Sequence, residues 1–523
     1  MLSRIGRGST RIYGRNCRFM GTYTSLQLDN MDMVEWSKAF EKETVAIAET
    51  DVRSVSYADA AERMRSFVKS NILPHDDIEH RPERFFRAHQ LLGRHATKLG
   101  PGFWIRFTVH YNLCMGSVVG LGNDEQVELL KNYQEEGKLG CFSLTEKYAG
   151  VNSGLLVDTT ADWDPVTSTF ILNTPSEGAK KNWISQGLVA DVTTVVATLK
   201  MDGKSLGPHA FLMPLRETVN GESQLVEGVT VGDMGPKTVG NDLDNAWISF
   251  DGVRLPKSSL LNKYCDIVDN KYVALVQDRP VFHMIGQRLF TGRVAVAQAA
   301  LEFTKALFHT AEEYTNEKEC WSPAGQITLS QVPQLRALYK ESRKTFELLD
   351  TFVGACEREL TLSLRDNTLP PLKLVEAIAV AKVRAVEECI SLSFRLKNEL
   401  GSYALMAGNG FDQTDFLQCC KFAEGDSRIL MQKMARDVMR DFRNSEEGKV
   451  SFFNHQWDFH TQACYNLQKK LEETEDQHVA WDEHFEDVYE LAEQHMTRTI
   501  QNFIVAKEEA DAVVCIAHSE TDA

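Results

Sequence analysis

The chain changes its hydrophobic periodicity twice, and this order constrains the fold more than any other feature of the sequence. From about Asp32 to Leu139, apolar residues recur at three- and four-residue spacing, as in DAAERMRSFVKSN, which predicts helices. From Gly140 to about Leu255, short runs such as STFILNT and TTVVATLKM are rich in β-branched and aromatic residues, which predicts strands. After Tyr272 long helical patterns return. The expected fold class is therefore α+β, with a β domain between two helical regions.

Gly and Pro residues between these patterns indicate where the domains end. We expect an N-terminal helical domain at 31–139, a β-barrel or sandwich at 140–255, an antiparallel helical bundle at 270–445 and an additional, truncated helical tail at 455–523. Segments such as LKLVEAIAVAKVRAVEECISLSFRLKNEL are long, uninterrupted and bounded by Gly or Pro, as in helical bundles. Within the β region, Asp202-Gly203 suits a hairpin turn.

Charge and composition argue against several classes of protein. The chain has 57 Lys and Arg against 74 Asp and Glu, a formal net charge of -17, which argues against a nucleic-acid surface. A small anionic ligand such as a nucleotide-bearing thioester stays compatible with this charge. No apolar run approaches the roughly 18 residues of a membrane span. The 11 cysteines lack C-x-x-C spacing and the histidines lack H-E-x-x-H spacing, so we expect neither a disulfide framework nor a metal site.

Residues 1–30 differ in composition from the rest of the chain. Arginines recur among Ser, Thr and Gly, and no acid precedes Asp29. This is the composition of a mitochondrial transit peptide, although a disordered basic arm has the same pattern. Both interpretations place the segment outside the fold. The last residues, Thr521-Asp522-Ala523, lack the S-K-L peroxisomal signal.

The stretch KFAEGDSRILMQKMARD places a carboxylate, Glu424, directly before a glycine and an amphipathic helix. Gly425 permits close backbone approach to a ligand, and Asp426 or Ser427 can cap the helix. The later turns form an apolar face that anchors the helix, so its start is free to carry chemistry. By composition alone, an acid at this position is more often a solvated partner of the helix dipole.

A series of segments in one order resembles the acyl-CoA oxidases and the related acyl-CoA dehydrogenases over about four fifths of the chain. The most informative are CFSLTEKYAGVNSG, NWISQGLVAD, GVTVGDMGPKTVGNDLDNAWISF, AGNGF and FAEGDSR. The resemblance implies a flavoenzyme that binds FAD and an acyl-CoA substrate. It also implies the helical, β and helical domain order given above.

The resemblance implies roles for individual residues. Glu424 matches the general base of the family, whose backbone N–H also donates to the thioester oxygen together with the ribityl 2′-hydroxyl of FAD. Burial would raise the pKa of this carboxylate toward working pH. Thr145 would contact the flavin pyrimidine edge, Trp183 would form a flat wall, and Ser185 would lie near the redox edge of the ring. Without the resemblance, Thr145 would be an ordinary strand-end residue and Trp183 an ordinary core residue.

The phosphate end of FAD has its own candidate residues. Gly408 and Gly410 in AGNGF match a glycine-rich turn that contacts the FAD pyrophosphate of a neighbouring subunit, which implies a homodimer or larger assembly. The alternative is a simple turn between helices. Lys318 stands where the dehydrogenases carry an arginine for FAD phosphate, which keeps the charge and loses bidentate geometry.

Other positions depart from the family pattern. Val151 replaces the hydroxyl residue of the flavin-binding turn, with Ser153 as a substitute, and Asn409 and Phe411 stand where the oxidases have His and Tyr. The chain stops at Ala523, within what resembles the first part of the oxidases' C-terminal helical domain. These departures weaken the expectations for FAD affinity and subunit packing.

The leading expectation is oxidation of fatty acyl-CoA by oxygen to trans-2-enoyl-CoA and hydrogen peroxide, the first step of β-oxidation. A first alternative is a dehydrogenase that passes electrons to an electron-transfer flavoprotein. A second is a flavin-poor relative that binds acyl-CoA or acts in assembly. The family resemblance favours the peroxisome, whereas the Arg-rich N-terminus favours the mitochondrial matrix.

Overall fold

The structure is a computed structural model, and it describes residues 22–48, 55–150, 157–276, 284, 286–323, 325–445, 458–473 and 475–519, without the side chains of 287 and 508–519. The arginines of the predicted N-terminal arm lie outside these residues, as do Val151 and Ser153. Residues Ser25–Asp29 form a helix that buries Leu28 completely. The folded chain therefore begins before residue 31, the predicted boundary.

The N-terminal region consists of helices. An amphipathic pattern and side-chain caps such as Ser56 and Asn123 define several of them. They are α1 Ser25–Asp29, α2 Met33–Ala46, α3 Tyr57–Ser70, α4 Asp77–His80, α5 Pro82–Arg94, α6 Ala96–Leu99, α7 Pro101–Thr108, a π-helical segment Val109–Met115, α8 Gly116–Leu121 and α9 Asp124–Glu136. π-Helical turns are rare and often lie at functional sites.

The β domain contains two main sheets. In the larger sheet the order is β1-β5-β2-β3-β11, with β6 also paired to β5, and the smaller sheet has the order β4-β10-β9. The strands are β1 Gly140–Ser143, β2 Thr160–Asp164, β3 Thr169–Asn173, β4 Lys181–Ser185, β5 Val192–Met201, β6 Lys204–Pro214, β7 Arg216–Val219, β8 Glu222–Leu225, β9 Val229–Asp233, β10 Asn245–Phe250, β11 Val253–Pro256, β12 Cys265–Val268 and β13 Lys271–Ala274. The β12–β13 hairpin extends the β region beyond the predicted limit at residue 255.

The C-terminal region is helical again, with one short hairpin. The elements are α10 Gln287–Glu317, β14 Glu319–Ser322, β15 Gly325–Thr328, α11 Pro333–Arg365, α12 Leu372–Leu400, α13 Asp415–Phe422, α14 Ser427–Asn444, α15 Phe459–Glu472, α16 Gln477–Glu483 and α17 Phe485–Ser519. Helix α10 packs on α12 and on α5 of the N-terminal region. Helix α17 packs on α14, so the tail covers the bundle.

The described residues form two hydrophobic cores. One core joins the N-terminal helices, the bundle and the tail, from Leu28 to Ile500, and also includes Val192 and Val196 of β5 and Ala210 and Leu212 of β6. The other fills the space between the two sheets, with Val195 and Phe211 from the larger sheet and Ile248 from the smaller one. The α+β class and the order helices, β domain and helices are thus as the sequence predicts. The two helical regions, however, share one core.

Two further properties concern possible ligands and membranes. Among the described residues, no helix combines the length and apolar character that crossing a bilayer requires. The same residues contain no group of three His, Cys, Asp or Glu side chains arranged to hold a metal ion.

Candidate active site

Glu424 lies in the tight turn between α13 and α14. Its backbone has φ of 56°, and Gly425 follows with φ of 97°. A left-handed glutamate is uncommon and costs roughly 1–3 kcal/mol, and such residues cluster at functional sites. Asp426 caps α14 by accepting from the Arg428 amide at 2.8 Å. The predicted apolar face of α14 is buried and consists of Leu430, Met431, Met434, Ala435, Val438 and Phe442.

The Glu424 side chain packs into the helical core, with its carboxyl group against α10. A Cβ on Gly292 would lie 2.3 Å from its carboxyl carbon, so only glycine leaves room here. Asn112 of the π-helical segment donates to the Arg288 carbonyl at 3.0 Å and makes a long contact of 3.5 Å with Glu424 Oε1. Arg293 Nε donates to the Glu424 carbonyl at 3.0 Å. Two distant segments, the π-helical segment and α10, therefore fix this residue.

The electrostatic surroundings favour a working base. Burial raises the pKa of Glu424 to about 7, while Arg293, Asn112 and Lys382 lower it. Among the described residues, Glu424 Oε2 is buried without a hydrogen-bond partner, and the Glu424 amide N–H donates to no acceptor. The residue thus offers a free carboxylate oxygen and a free N–H donor on the same turn.

Lys382 is a buried cation beneath this turn. Its ammonium group donates to the Lys421 carbonyl at 2.6 Å, the Gly425 carbonyl at 2.9 Å and the Ser427 hydroxyl at 3.2 Å. Its side chain has no exposed surface, and burial lowers its pKa to about 7. Lys382 on α12 therefore joins both ends of the turn that carries Glu424.

Thr145 and Trp183 lie next to each other in the β domain. The Asn182 amide donates to the Thr145 carbonyl at 2.8 Å, and the neighbouring Lys181 and Glu146 form an isolated β-bridge. Thr145 is exposed, and Trp183 is 58% exposed with φ of 57°. Composition alone predicts that Trp183 is a core side chain, and this prediction is wrong. A large exposed aromatic on a left-handed residue suits the surface of a binding site.

Neighbouring residues hold this part of the β domain in place. Lys181 Nζ donates to the Glu146 carboxylate at 2.8 Å, and both side chains are buried. Glu146 also accepts from the amides of Asp158 and Thr159. Ser185, partly buried, accepts from Asn245 Nδ2 at 3.2 Å.

Lys318 and the glycine turn lie at another end of the bundle. Lys318 is exposed directly after α10, and its amide donates to the Tyr314 carbonyl. Tyr314 stacks on Tyr403 with ring centroids 3.6 Å apart, and Asn409 donates to the Tyr403 carbonyl at 2.6 Å. Gly408 and Gly410 flank Asn409 with φ of 85° and 91°. Lys318 and the two glycines are therefore parts of one local arrangement.

The predicted residues thus form three groups: Glu424; Thr145, Trp183 and Ser185; and Lys318 with Gly408 and Gly410. The π-helical segment connects the first two, because Asn112 reaches Glu424 while His110 Nδ1 accepts from the Gly140 amide at the start of β1, 3.1 Å away. Thr145 follows the end of the same strand. Among the described residues, no direct contact joins the Lys318 group to the others.

Sequence reasoning missed four residues around Glu424: Asn112, Gly292, Arg293 and Lys382. Three of them gave a signal that could have been used. Lys382 interrupts the apolar run IAVAKVRAV, and Gly292-Arg293 interrupts an Ala- and Val-rich helix. A charged residue or a glycine at such a position requires a partner or a close contact.

Comparison with known proteins places this arrangement in context. No family model matches the chain. An acyl-coenzyme A oxidase of Kluyveromyces lactis is 29% identical over 386 residues, covering 68% of this chain and 50% of the relative. The peroxisomal acyl-coenzyme A oxidase 2 of Arabidopsis thaliana is 27% identical over 408 residues, covering 73% and 56%. The chain spans about half the length of the curated relatives it matches.

The solved structures agree with the sequence relatives. Acyl-CoA oxidase 1 of Yarrowia lipolytica has a TM-score of 0.70 at 20% identity, over 90% of this chain and 76% of that one. The chain is a sequence relative of the acyl-CoA oxidases and has their fold. Acyl-CoA oxidase-1 of Caenorhabditis elegans, solved with FAD and ATP, has a TM-score of 0.67 at 17% identity, covering 89% and 76%. Butyryl-CoA dehydrogenase of Megasphaera elsdenii gives 0.60 at 17%, covering 79% and 100%. The resemblance stated from the motifs is confirmed.

Proposed function

We propose that this chain is an FAD-dependent enzyme that oxidises fatty acyl-CoA to trans-2-enoyl-CoA, with Glu424 as the general base and oxygen as the electron acceptor. One observation carries the proposal: Glu424 is buried, has a left-handed backbone and a pKa of about 7, and among the described residues its Oε2 and its amide N–H have no hydrogen-bond partner. A structural carboxylate would be paired with a hydrogen-bond donor. The acyl-CoA oxidase relatives supply the substrate class.

The residues present fit FAD at the ring end. Thr145 offers an exposed hydroxyl, and the exposed Trp183 offers an aromatic face beside it. The left-handed backbone of Trp183 indicates that this exposure is built into strand β4. Lys318 and the Gly408–Gly410 turn would hold the phosphates, with one charge and two positions free of side chains.

The proposed reaction requires two events at adjacent carbons of the acyl chain. When bound, FAD would supply the acceptor for the hydride that leaves the β carbon. Glu424, in its ionised form, would take the α proton as general base. Its amide N–H would donate to the thioester oxygen, where negative charge develops. Burial strengthens both interactions because water does not compete with them.

The first experiment measures flavin uptake and substrate reduction. Purified protein is incubated with FAD, its absorbance spectrum is recorded, and it is mixed anaerobically with a panel of acyl-CoAs. We expect bound flavin and bleaching by at least one chain length. A colourless protein that takes up no FAD would contradict the proposal and favour the flavin-poor relative.

Replacement of the base tests the assignment of Glu424. Glu424→Gln should still bind acyl-CoA but lose at least about 10³-fold in the rate of flavin reduction, because the general base is removed. The rate is measured by stopped-flow absorbance at saturating acyl-CoA. Near-normal bleaching in this variant would refute the assignment.

For the electron acceptor there is a second candidate besides oxygen, an electron-transfer flavoprotein. The chain covers the whole length of a butyryl-CoA dehydrogenase, which favours a dehydrogenase as the second candidate. After anaerobic reduction, the enzyme is mixed with oxygen or with electron-transfer flavoprotein. Rapid reoxidation by oxygen with one equivalent of hydrogen peroxide supports an oxidase. Reoxidation by the flavoprotein alone supports a dehydrogenase.

The assembly and compartment follow from the same proposal. Phe394 and Leu405 are 65% and 78% exposed and line a cavity of about 510 Å³ close to the glycine turn. Exposed apolar side chains of this size support a homodimer that shares FAD across the interface.

The peroxisomal relative supports the peroxisome as compartment, whereas neither curated relative above is named as mitochondrial.

A further inference from the structure

Two cations, the buried Lys382 and the partly buried Arg293, lie near the Glu424 carboxylate, but both bind the backbone. Lys382 donates to the carbonyls of residues 421 and 425, and Arg293 donates to that of residue 424. Among the described residues, neither cation forms an ion pair with the carboxylate itself. A direct pair would neutralise a base and lower its pKa.

The contacts of Lys382 span the turn in sequence and in space. Lys421 is in the last turn of α13, Gly425 follows Glu424, and Ser427 is the first residue of α14. Below its pKa of about 7 the Lys382 amine is charged, and hydrogen bonds from a charged donor are about twice as strong as neutral ones and stronger still when buried. A single ammonium group therefore opposes separation of the two helix ends.

The strain at the turn shows why such a clamp is needed. Residues 424 and 425 are both left-handed, and the glutamate pays a steric cost that glycine does not. Relaxation of Glu424 to a right-handed or extended backbone would redirect both its carboxylate and its amide N–H. The contacts that hold the carbonyl side of the turn would prevent this relaxation.

We propose that Lys382 is a positioning residue for the general base, which holds the Glu424 turn in its strained conformation through the carbonyls of Lys421 and Gly425 and the hydroxyl of Ser427. This inference rests on the proposed function for its catalytic consequence. The clamp itself concerns only the protein chain. The two parts can therefore be tested separately.

The first test needs no flavin and uses hydrogen exchange in Lys382→Met, an apolar substitution of similar length. The reporters are the amides of Ala423 and Leu430, which donate to Cys419 and Asp426 on either side of Glu424. We expect exchange at both to be roughly tenfold faster than in the wild type, because charge-assisted hydrogen bonds are lost. Unchanged exchange would overturn the inference.

Matched variants separate the clamp from general loss of stability. Lys305→Met removes a partly buried lysine of α10 that pairs with Asp350 and does not contact the turn, so exchange at Ala423 and Leu430 should stay at the wild-type rate. If Lys382→Met does not fold, Ser427→Ala decides the question. It keeps the ammonium group and removes one acceptor, so exchange at Leu430 should rise severalfold, and no change there would overturn the clamp.

The second test uses the flavin-loaded enzyme. In Lys382→Met, flavin reduction at saturating acyl-CoA should slow at least about tenfold, while the half-saturating acyl-CoA concentration changes less than about threefold. If Lys382 only stabilised the fold, its replacement would not change one of these two parameters more than the other. The positioning role would be overturned if the rate and the half-saturating acyl-CoA concentration worsened by the same factor, or if the rate were normal. If the wild type takes up no FAD, the proposed function fails, and the exchange experiment still decides on the clamp.

Discussion

At the residue scale, the buried carboxylate of Glu424 makes the stability of the protein depend on pH. Its pKa is about 7 in the folded chain and about 4.3 when unfolded. Between these values the folded state keeps a proton that the unfolded state has released. The free energy of unfolding should therefore fall as pH rises through this window, by up to about 4 kcal/mol, and this contribution should be constant above it.

Comparison with Glu424→Gln isolates this contribution. Glutamine does not titrate, so the variant should be about as stable as the wild type near pH 4.5 and more stable at pH 8. Urea denaturation at several pH values measures the difference. A difference that does not change with pH would show that the carboxyl group is hydrated in the folded protein.

Gly292 offers a second test at this scale. A Cβ at position 292 would lie 2.3 Å from the Glu424 carboxyl carbon. The new methyl group of Gly292→Ala would therefore overlap this carbon and displace the Glu424 side chain. We expect flavin reduction to slow at least about tenfold, since small displacements of a base are costly. The rate of reduction by acyl-CoA is the measurement.

The matched control is Gly354→Ala on α11. A Cβ there meets only Arg358 Nη1 at 3.5 Å, an ordinary contact. Alanine is the better helix former by about 1 kcal/mol, so this variant should keep its activity and gain stability. A Gly292→Ala enzyme as active as the control would show that the carboxylate has room to move.

At the element scale, the Glu146–Lys181 pair connects β4 to the segment after β1. Both side chains are buried, so Lys181→Met leaves a carboxylate without its cation, which should cost about 3–5 kcal/mol. The free energy of unfolding in urea measures this loss. Thr145 and Trp183 adjoin the pair, so flavin retention should also weaken.

A double variant distinguishes the lost pair from lost packing. Lys181→Met with Glu146→Gln removes both charges and should recover part of the stability. If the double variant is as unstable as the sum of the two single variants, the pair contributes no coupling energy.

The elements themselves follow from local sequence, whereas the site around Glu424 does not. The Asp202-Gly203 hairpin and the apolar face of α14 depend on residues within a few positions of each other, so pattern reasoning predicts them. Asn112 reaches Glu424 across 312 positions of sequence and Arg293 across 131. Such contacts depend on how helices pack, and no periodicity encodes them. The left-handed backbone of Trp183 is likewise set by its neighbours in the sheet.

At the scale of the whole molecule, the C-terminal tail stabilises the helix that begins at the Glu424 turn. Helix α17 packs on α14, and Leu491 of α17 is fully buried in the common helical core. Leu491→Ala should therefore lower the free energy of unfolding by about 2–5 kcal/mol. Val505 of the same helix is 54% exposed, so Val505→Ala should change it by less than about 0.5 kcal/mol. Equal stability of the two variants would show that the tail does not contribute to the common core.

The core that both helical regions share has a consequence for synthesis of the protein. Helix α5 packs on α10, and nearly two hundred residues, including the whole β domain, separate the two. When the first helices leave the ribosome, α10 has not yet been synthesised. The surface that these helices bury against α10 in the folded protein is therefore exposed. The β domain has a hydrophobic core of its own, so we expect it to fold in the meantime. We therefore expect the nascent N-terminal helices to bind chaperones until α10 has emerged.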